Sequence, residues 1–325
     1  MGFKGFVDIQ FNGFMGIDFS DSALTLDDIR KVTRELSARG TMGYCPTICT
    51  GSMEMYRQNL GLMSAAMKDS EVGAHILGVH LEGPFISSKP GAVGAHDVRY
   101  VAEPSIETFD KFMEWSDGSI SILTVAPEIP GIDELIAHAA GLGVRVMMGH
   151  HISDIPSMEK ALAAGACGCT HLGNGLPSEI NRHQNPLWWQ LAADELWGSF
   201  ITDGHHLPPE FIKVALKCKT LDRFIVISDA GALAGMPPGV YDGFGKKVEI
   251  TANGRMNVYG TPYLAGSHAI TIECMNYLAS LNILTEEELW QVGYLNPLRF
   301  LGKSEDCFNG VECANVKFDG RQFTC

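Results

Sequence analysis

Eight short apolar runs, each followed by a stretch with helical apolar spacing, recur along this chain at intervals of roughly thirty residues. The runs are Phe6 to Phe11, Gly43 to Thr47, His75 to Leu81, Ser119 to Val125, Val144 to Gly149, Gly168 to His171, Ser199 to Thr202 and Phe224 to Ser228. They read as strands buried on both faces. Helical spacing marks Thr25 to Ala38, Met53 to Lys68, Ser105 to Trp115, Ile132 to Gly141, Ile155 to Ala164, Leu187 to Ala193 and Pro209 to Lys217. Thr25 before Asp27 and Asp28, and Ser105 before Glu107, have the side-chain oxygens that cap helix starts. Ala269 to Leu281 and Glu286 to Gly293 add two helices after the eighth run. The alternation predicts a (β/α)8 TIM barrel. An open doubly wound sheet fits the same order, but no Gly-x-Gly-x-x-Gly turn follows the first strand.

The barrel reading gives meaning to the polar residues that close the runs. Gln10, Asn12, Glu82, His150, His171, His206 and Asp229 fall at or just past the C-terminal ends of strands, where such barrels build their active sites. Two imidazoles and a carboxylate from separate strands match the three protein ligands of a catalytic divalent metal, most often zinc, whose fourth position is left to water. Glu82 would be costly as an unpaired buried carboxylate, and a cation is a natural way to keep it ionised. Asp229 fits either a catalytic carboxylate or the cap of a following helix.

Composition narrows the partners. The 325 residues are 46% hydrophobic, enough for a large core, and the net charge of -14 with no basic run argues against nucleic acid and anionic membrane as main partners. Nine cysteines are an odd number for a disulfide framework, and no Cys-x-x-Cys pair occurs. They read as thiols in a reducing compartment, so a cytoplasmic protein is expected, and the first residues show neither an apolar leader nor a myristoylation pattern.

Several motifs follow one another in an order and spacing that resemble the N-acetylglucosamine-6-phosphate deacetylases of the amidohydrolase superfamily. They are His80-Leu-Glu-Gly-Pro-Phe85, Gly94-Ala-His96-Asp, Ala126-Pro-Glu128, Gly149-His150, Thr170-His-Leu-Gly-Asn174, Asp203-Gly-His-His206, Ser228-Asp-Ala230 and Leu264-Ala-Gly-Ser267. The resemblance runs from Gly5 to Gly302. It implies that Glu82, His150 and His171 ligate one divalent ion, usually zinc, and that Asp229 is the catalytic acid/base. It also implies that His96 and His206 contact the sugar, with His96 beside the metal at the oxyanion, and that Asn174, the backbone at Gly175, and Arg182 serve the phosphate, in some members with a neighbouring subunit's help. Many amidohydrolases carry His-x-His at the end of the first strand for a second ion. Gln10 and Asn12 stand there instead, and neutral carboxamides are poor zinc ligands, so one ion is expected.

The resemblance therefore implies a metal-dependent deacetylase acting on a small amino sugar phosphate, active as a homodimer or other homo-oligomer. An unphosphorylated N-acetyl sugar, another amide, or a catalytically silent sugar-binding relative are the alternatives. Two departures matter. Gly175 follows Asn174 where the family usually has Ala, and Asn181 to Trp189 replaces a His-His-Arg-Glu-Pro-Gly stretch with about two extra residues, so Arg182 aligns only if the insertion falls after it. Trp188 and Trp189 fit either a sugar platform or a helix packed on the barrel. The small β-sandwich typical of relatives is expected to be missing or vestigial, with residues 1–302 forming the barrel and 303–325 a tail that holds at most one or two strands around Ala314 to Phe318.

Overall fold

The computed structural model describes residues 5–243, 246–261 and 263–325. Met1 to Lys4, part of the start discussed above, lie outside them. Eight parallel strands form one sheet in sequence order. They are β1 (Phe6–Phe11), β2 (Thr41–Cys49), β3 (Val79–Glu82), β4 (Ile120–Val125), β5 (Arg145–Met148), β6 (Gly168–Cys169), β7 (Trp197–Ile201) and β8 (Phe224–Ile227). β1, β3 and β8 are buried at every residue, because side chains fill the barrel on one face and helices cover the other. Helices α1 (Leu26–Ala38), α2 (Met53–Met67), α3 (Ile106–Trp115), α4 (Ile132–Gly141), α5 (Ile155–Ala164), α6 (Pro186–Ala192), α7 (Pro209–Lys219) and α8 (Thr271–Ser280) surround it. The caps are those the side chains can make. Thr25 and Asp28 form a reciprocal capping box on α1, and Ser52, Ser105, Asp154 and Asn185 each accept from a first-turn N–H.

The seam between β8 and β1 closes the barrel, and it is short. Asp229 N–H donates to Gln10 O at 3.1 Å and Asn12 N–H to Ala230 O at 2.9 Å. Deeper in the barrel a side chain replaces the ladder: the fully buried Asp8 carboxylate accepts from Gln10 N, Ser228 N and Thr271 Oγ1.

Three features depart from the strand and helix boundaries expected above. The run at His75 begins as a one-turn 3-10 helix, Gly73–His75, and β3 starts only at Val79, after Gly78 at φ +132°. An antiparallel sheet of β9 (Gly239–Gly243), β10 (Lys246–Ile250) and β11 (Met256–Val258) follows β8, with its own small core of Leu233, Val248, Ile250, Met256 and Ala265. Beyond α8, the single helix expected at Glu286 to Gly293 is α9 (Glu286–Trp290), a π-helical turn over Gln291–Leu295, and α10 (Asn296–Phe300). Pro297 has no N–H for the Gly293 carbonyl, and Asn296 N–H bonds Gln291 O instead. The tail folds into a hairpin of β12 (Lys317–Phe318) and β13 (Phe323–Thr324). No helix among the described residues is long and apolar enough to cross a membrane.

Candidate metal centre and active site

Four strands deliver the central groups, and three leave the sheet in the same strained way. His150, His171 and Asp229 each stand two residues past the end of β5, β6 and β8, in left-handed backbone at φ +52°, +32° and +51°. Side chains there cost backbone energy relative to extended conformations and persist where surrounding contacts enforce them. The turn swings each side chain in over the barrel mouth. Glu82 is the last residue of β3, and the left-handed residue after it is Gly83.

The result is a buried convergence of donors. Glu82 Oε1 lies 3.2 Å from His150 Nε2 and 2.9 Å from His171 Nε2, and the two imidazole nitrogens are 3.0 Å apart. His150 donates Nδ1–H to Ala92 O at 2.7 Å, so its Nε2 carries a bare lone pair that faces the carboxylate oxygen. Two lone pairs aimed at each other at that distance repel unless a cation lies between them. Nitrogen and oxygen ligands of tetrahedral zinc stand about 3.4 Å apart, a few tenths of an ångström beyond the spacing here. The three residues therefore fit a divalent ion. Burial pushes the Glu82 carboxyl upward, but when protons on His150 and His171 stand in for a cation, their hydrogen bonds and charge outweigh it and hold Glu82 well below the usual carboxylate range. Two glycines press on the imidazoles from outside. A Cβ on Gly94 would meet His150 Cε1 at 2.9 Å, and one on Gly175 would meet His171 Cε1 at 2.9 Å, so the loops that carry them lie directly on the candidate ligands.

Asp229 is held by the pair that stands where a second metal's histidines would be. Gln10 Nε2 donates to Asp229 Oδ1 at 3.0 Å and to Glu82 Oε1 at 2.8 Å, and Asn12 Nδ2 donates to Asp229 Oδ1 at 2.7 Å. Their alternation on β1 turns both amides to the mouth. Burial first, then the charge of Glu82, pushes Asp229 up to about 6 despite the Asn12 hydrogen bond. No helix follows Asp229, so the helix-cap reading does not hold. Beneath these groups His80 spans the barrel from Ile9 O to Thr124 Oγ1, and Thr124 meets Thr170 at 2.7 Å. His80 sits inside the motif that drew attention to Glu82, and its alternation with Glu82 on β3 was the signal for its inward position.

The remaining predicted residues divide. His96 joins the cluster, with Nε2 3.2 Å from His150 Nε2, and burial lowers it to about 3. His206 donates Nδ1–H to Asp203 Oδ2 at 2.7 Å. Asn174, on the loop that leaves His171, has a buried Nδ2 without a hydrogen-bond partner among the described residues. Arg182 is exposed, and among the described residues no hydrogen bond or ion pair joins it to Glu82, His150, His171 or Asp229; its carbonyl accepts from Trp188 Nε1 at 3.1 Å. Trp188 itself is 53% exposed, so it is not the packing residue of its pair. Cys49, at the end of β2, was not anticipated: its Sγ lies 3.3 Å from Asn12 Oδ1 and 3.6 Å from Glu82 Oε2.

No family model matches the chain. The N-acetylglucosamine-6-phosphate deacetylase of Bacillus subtilis (strain 168) is 33% identical over 266 residues, 81% of this chain and 66% of that protein. The enzyme of the same name from Caenorhabditis elegans is 31% identical over 314 residues, 93% of this chain and 74% of that protein. The chain belongs to the N-acetylglucosamine-6-phosphate deacetylase family, within the amidohydrolase superfamily. It is thus a member of a family of hydrolases that act on an amide. This deacetylase-family chain spans about two thirds to three quarters of the length of those relatives. A crystal structure of N-acetyl-D-glucosamine-6-phosphate deacetylase from Mycobacterium smegmatis superimposes with a TM-score of 0.85 at 24% identity, covering 99% of this chain and 87% of that one. At that identity the likeness shows the fold, the (β/α)8 barrel of the family.

Proposed function

We propose that the protein hydrolyses the N-acetyl group of N-acetylglucosamine-6-phosphate or a close analogue, releasing acetate and the free amino sugar phosphate. The observation that carries this reading is the convergence of Glu82, His150 and His171 beside a buried Asp229, in a chain of a deacetylase family. Those three residues would hold one divalent ion, zinc by its preference for imidazole with carboxylate. Gln10 and Asn12 are engaged by Asp229, in keeping with a single resident ion. When bound, such an ion acidifies a water toward a pKa of about 7 and polarises the acetyl carbonyl.

The chain's own groups do the rest. Asp229, oriented through Oδ1 by two amide donors, takes the proton of the attacking water and returns it to the amine nitrogen as the C–N bond breaks. His96, kept neutral by burial and accepting at Nδ1 from the Thr50 N–H, donates Nε2–H to the oxyanion. His206, fixed by Asp203, and the unpartnered Asn174 Nδ2 offer polar contacts to the sugar, and Gly175 lets the backbone approach. Arg182 is the guanidinium available for the phosphate. The enzyme works on this small molecule in the cytoplasm as a homodimer or other homo-oligomer, with no nucleic acid or membrane partner. Residues 1–302 act as the catalytic domain, and 303–325 are the remnant of the small β-domain.

Acetate release from a panel of N-acetyl sugars, with and without a 6-phosphate, tests the reading. Release from the 6-phosphates alone is expected. Turnover of unphosphorylated sugars in preference overturns the phosphate assignment, and no release from any of them overturns the activity.

A further inference from the structure

Glu82 has two oxygens, and the centre described so far uses one. Oε1 faces His150, His171 and Gln10. Oε2 faces the other way, 3.6 Å from Cys49 Sγ and 3.9 Å from His96 Nε2. Ligand atoms of Cys49, Glu82 and His96 all lie within 4.8 Å of one another. A thiolate sulfur and a carboxylate oxygen bound to one tetrahedral zinc-class ion stand about 3.6 Å apart, which is the Sγ to Oε2 separation found here. His96 Nδ1 lies 3.0 Å from Thr50 Oγ1 and accepts from the Thr50 N–H at 3.4 Å; a cation at Nε2 selects the other tautomer, in which Nδ1–H donates to the Thr50 hydroxyl, the usual outer partner of a ligating imidazole. Among the described residues the hydrogen-bond partners of the sulfur are acceptors, Asn12 Oδ1 and Glu82 Oε2, with the charges of Asp18 and Asp229 close by.

We propose that Cys49, Glu82 and His96 form a second, weaker site for a thiophilic divalent cation, bridged by Glu82 to the resident ion, and that its occupancy inhibits the enzyme. On binding, the thiol proton leaves to solvent and the S–metal bond takes its place. Sulfur selects zinc, cadmium or cobalt over magnesium and calcium. Inhibition follows because the second ion takes His96 and the free side of Glu82 away from substrate. This half of the inference rests on the deacetylase reading; the binding half does not.

The test starts from protein that holds one ion after dialysis and adds Co2+ alone. A thiolate-to-cobalt charge-transfer band in the near ultraviolet is expected to grow with the added equivalent, while the resident ion stays bound, and to be absent in Cys49→Ser and Cys49→Ala. Excess Cd2+ is expected to reduce acetate release about tenfold in the wild type and to leave Cys49→Ser nearly unaffected. Absence of the band, its persistence in both variants, or release of the resident ion as it appears overturns the second site. A band lost in the variants without any relief of inhibition overturns the inhibitory role. If no sugar is deacetylated at all, the cobalt titration still decides the site.

Discussion

Asp229 is the residue whose environment makes the most specific demands. Its carboxyl is raised to about 6 by burial and by Glu82, and only the ionised form can accept a proton from water. The acid side of the kcat/KM profile is therefore expected to rise with pH through a midpoint at or below about 6, since a bound dication beside Glu82 favours the carboxylate further. Asn12→Ala removes a hydrogen bond to the charged form, so it is expected to move that midpoint upward. A midpoint above neutrality in the wild type, or no movement in Asn12→Ala, removes Asp229 from the role of base. Asp229→Asn is expected to keep the fold and the bound ion while kcat falls by about 10²-fold or more. His171→Ala and Glu82→Ala are expected to lose the ion instead, as read by elemental analysis. At this scale much was legible in the sequence: Glu82, His150, His171 and Asp229 each end an apolar run. Cys49 also ends one, but a thiol after an apolar strand has no distinguishing spacing. The task of Gln10 and Asn12 was hidden as well, because it depends on Asp229, 217 residues further along, lying 2.7 Å from Asn12.

Among the elements, the segment between His171 and α6 carries the proposed phosphate contacts. It starts at a candidate metal ligand, lies against both imidazoles at Gly175, and ends at the α6 cap Asn185. Arg182 projects from its exposed stretch. With a net charge of -14 repelling a dianion at long range, phosphate affinity must come from local donors. Arg182→Ala is expected to raise KM for a 6-phosphate substrate at least about tenfold, or about 1.4 kcal/mol, and to leave unphosphorylated analogues almost unchanged. Equal loss on both would assign Arg182 a structural part. The barrel strands and helices were readable because burial on two faces and 3.6-residue periodicity leave strong patterns. The β9 to β11 sheet was not. Its strands are short, polar on the exposed face and, in β9, bounded by glycines, so they pass for loop.

At the scale of the molecule, the two ends of the barrel have separate duties. Opposite the mouth, Phe323 of the tail hairpin packs on Phe6 at 5.0 Å and Trp290 at 5.4 Å, and Asn276 exchanges two hydrogen bonds with its backbone. Phe323→Ala is expected to cost about 3 kcal/mol in denaturant unfolding while the purified protein keeps its ion and its pH profile. The seam between β1 and β8 carries a different consequence. All three candidate metal ligands hang from β3 and from the ends of β5 and β6, on laddered sheet, whereas the proposed proton-transfer group and the two amides that aim it face each other across a junction held by a few bonds and a buried carboxylate. Gentle heating or low denaturant should therefore part that junction first. The protein would fall silent while still loaded, and an assay of turnover run beside an assay of bound ion should see the first signal vanish well before the second.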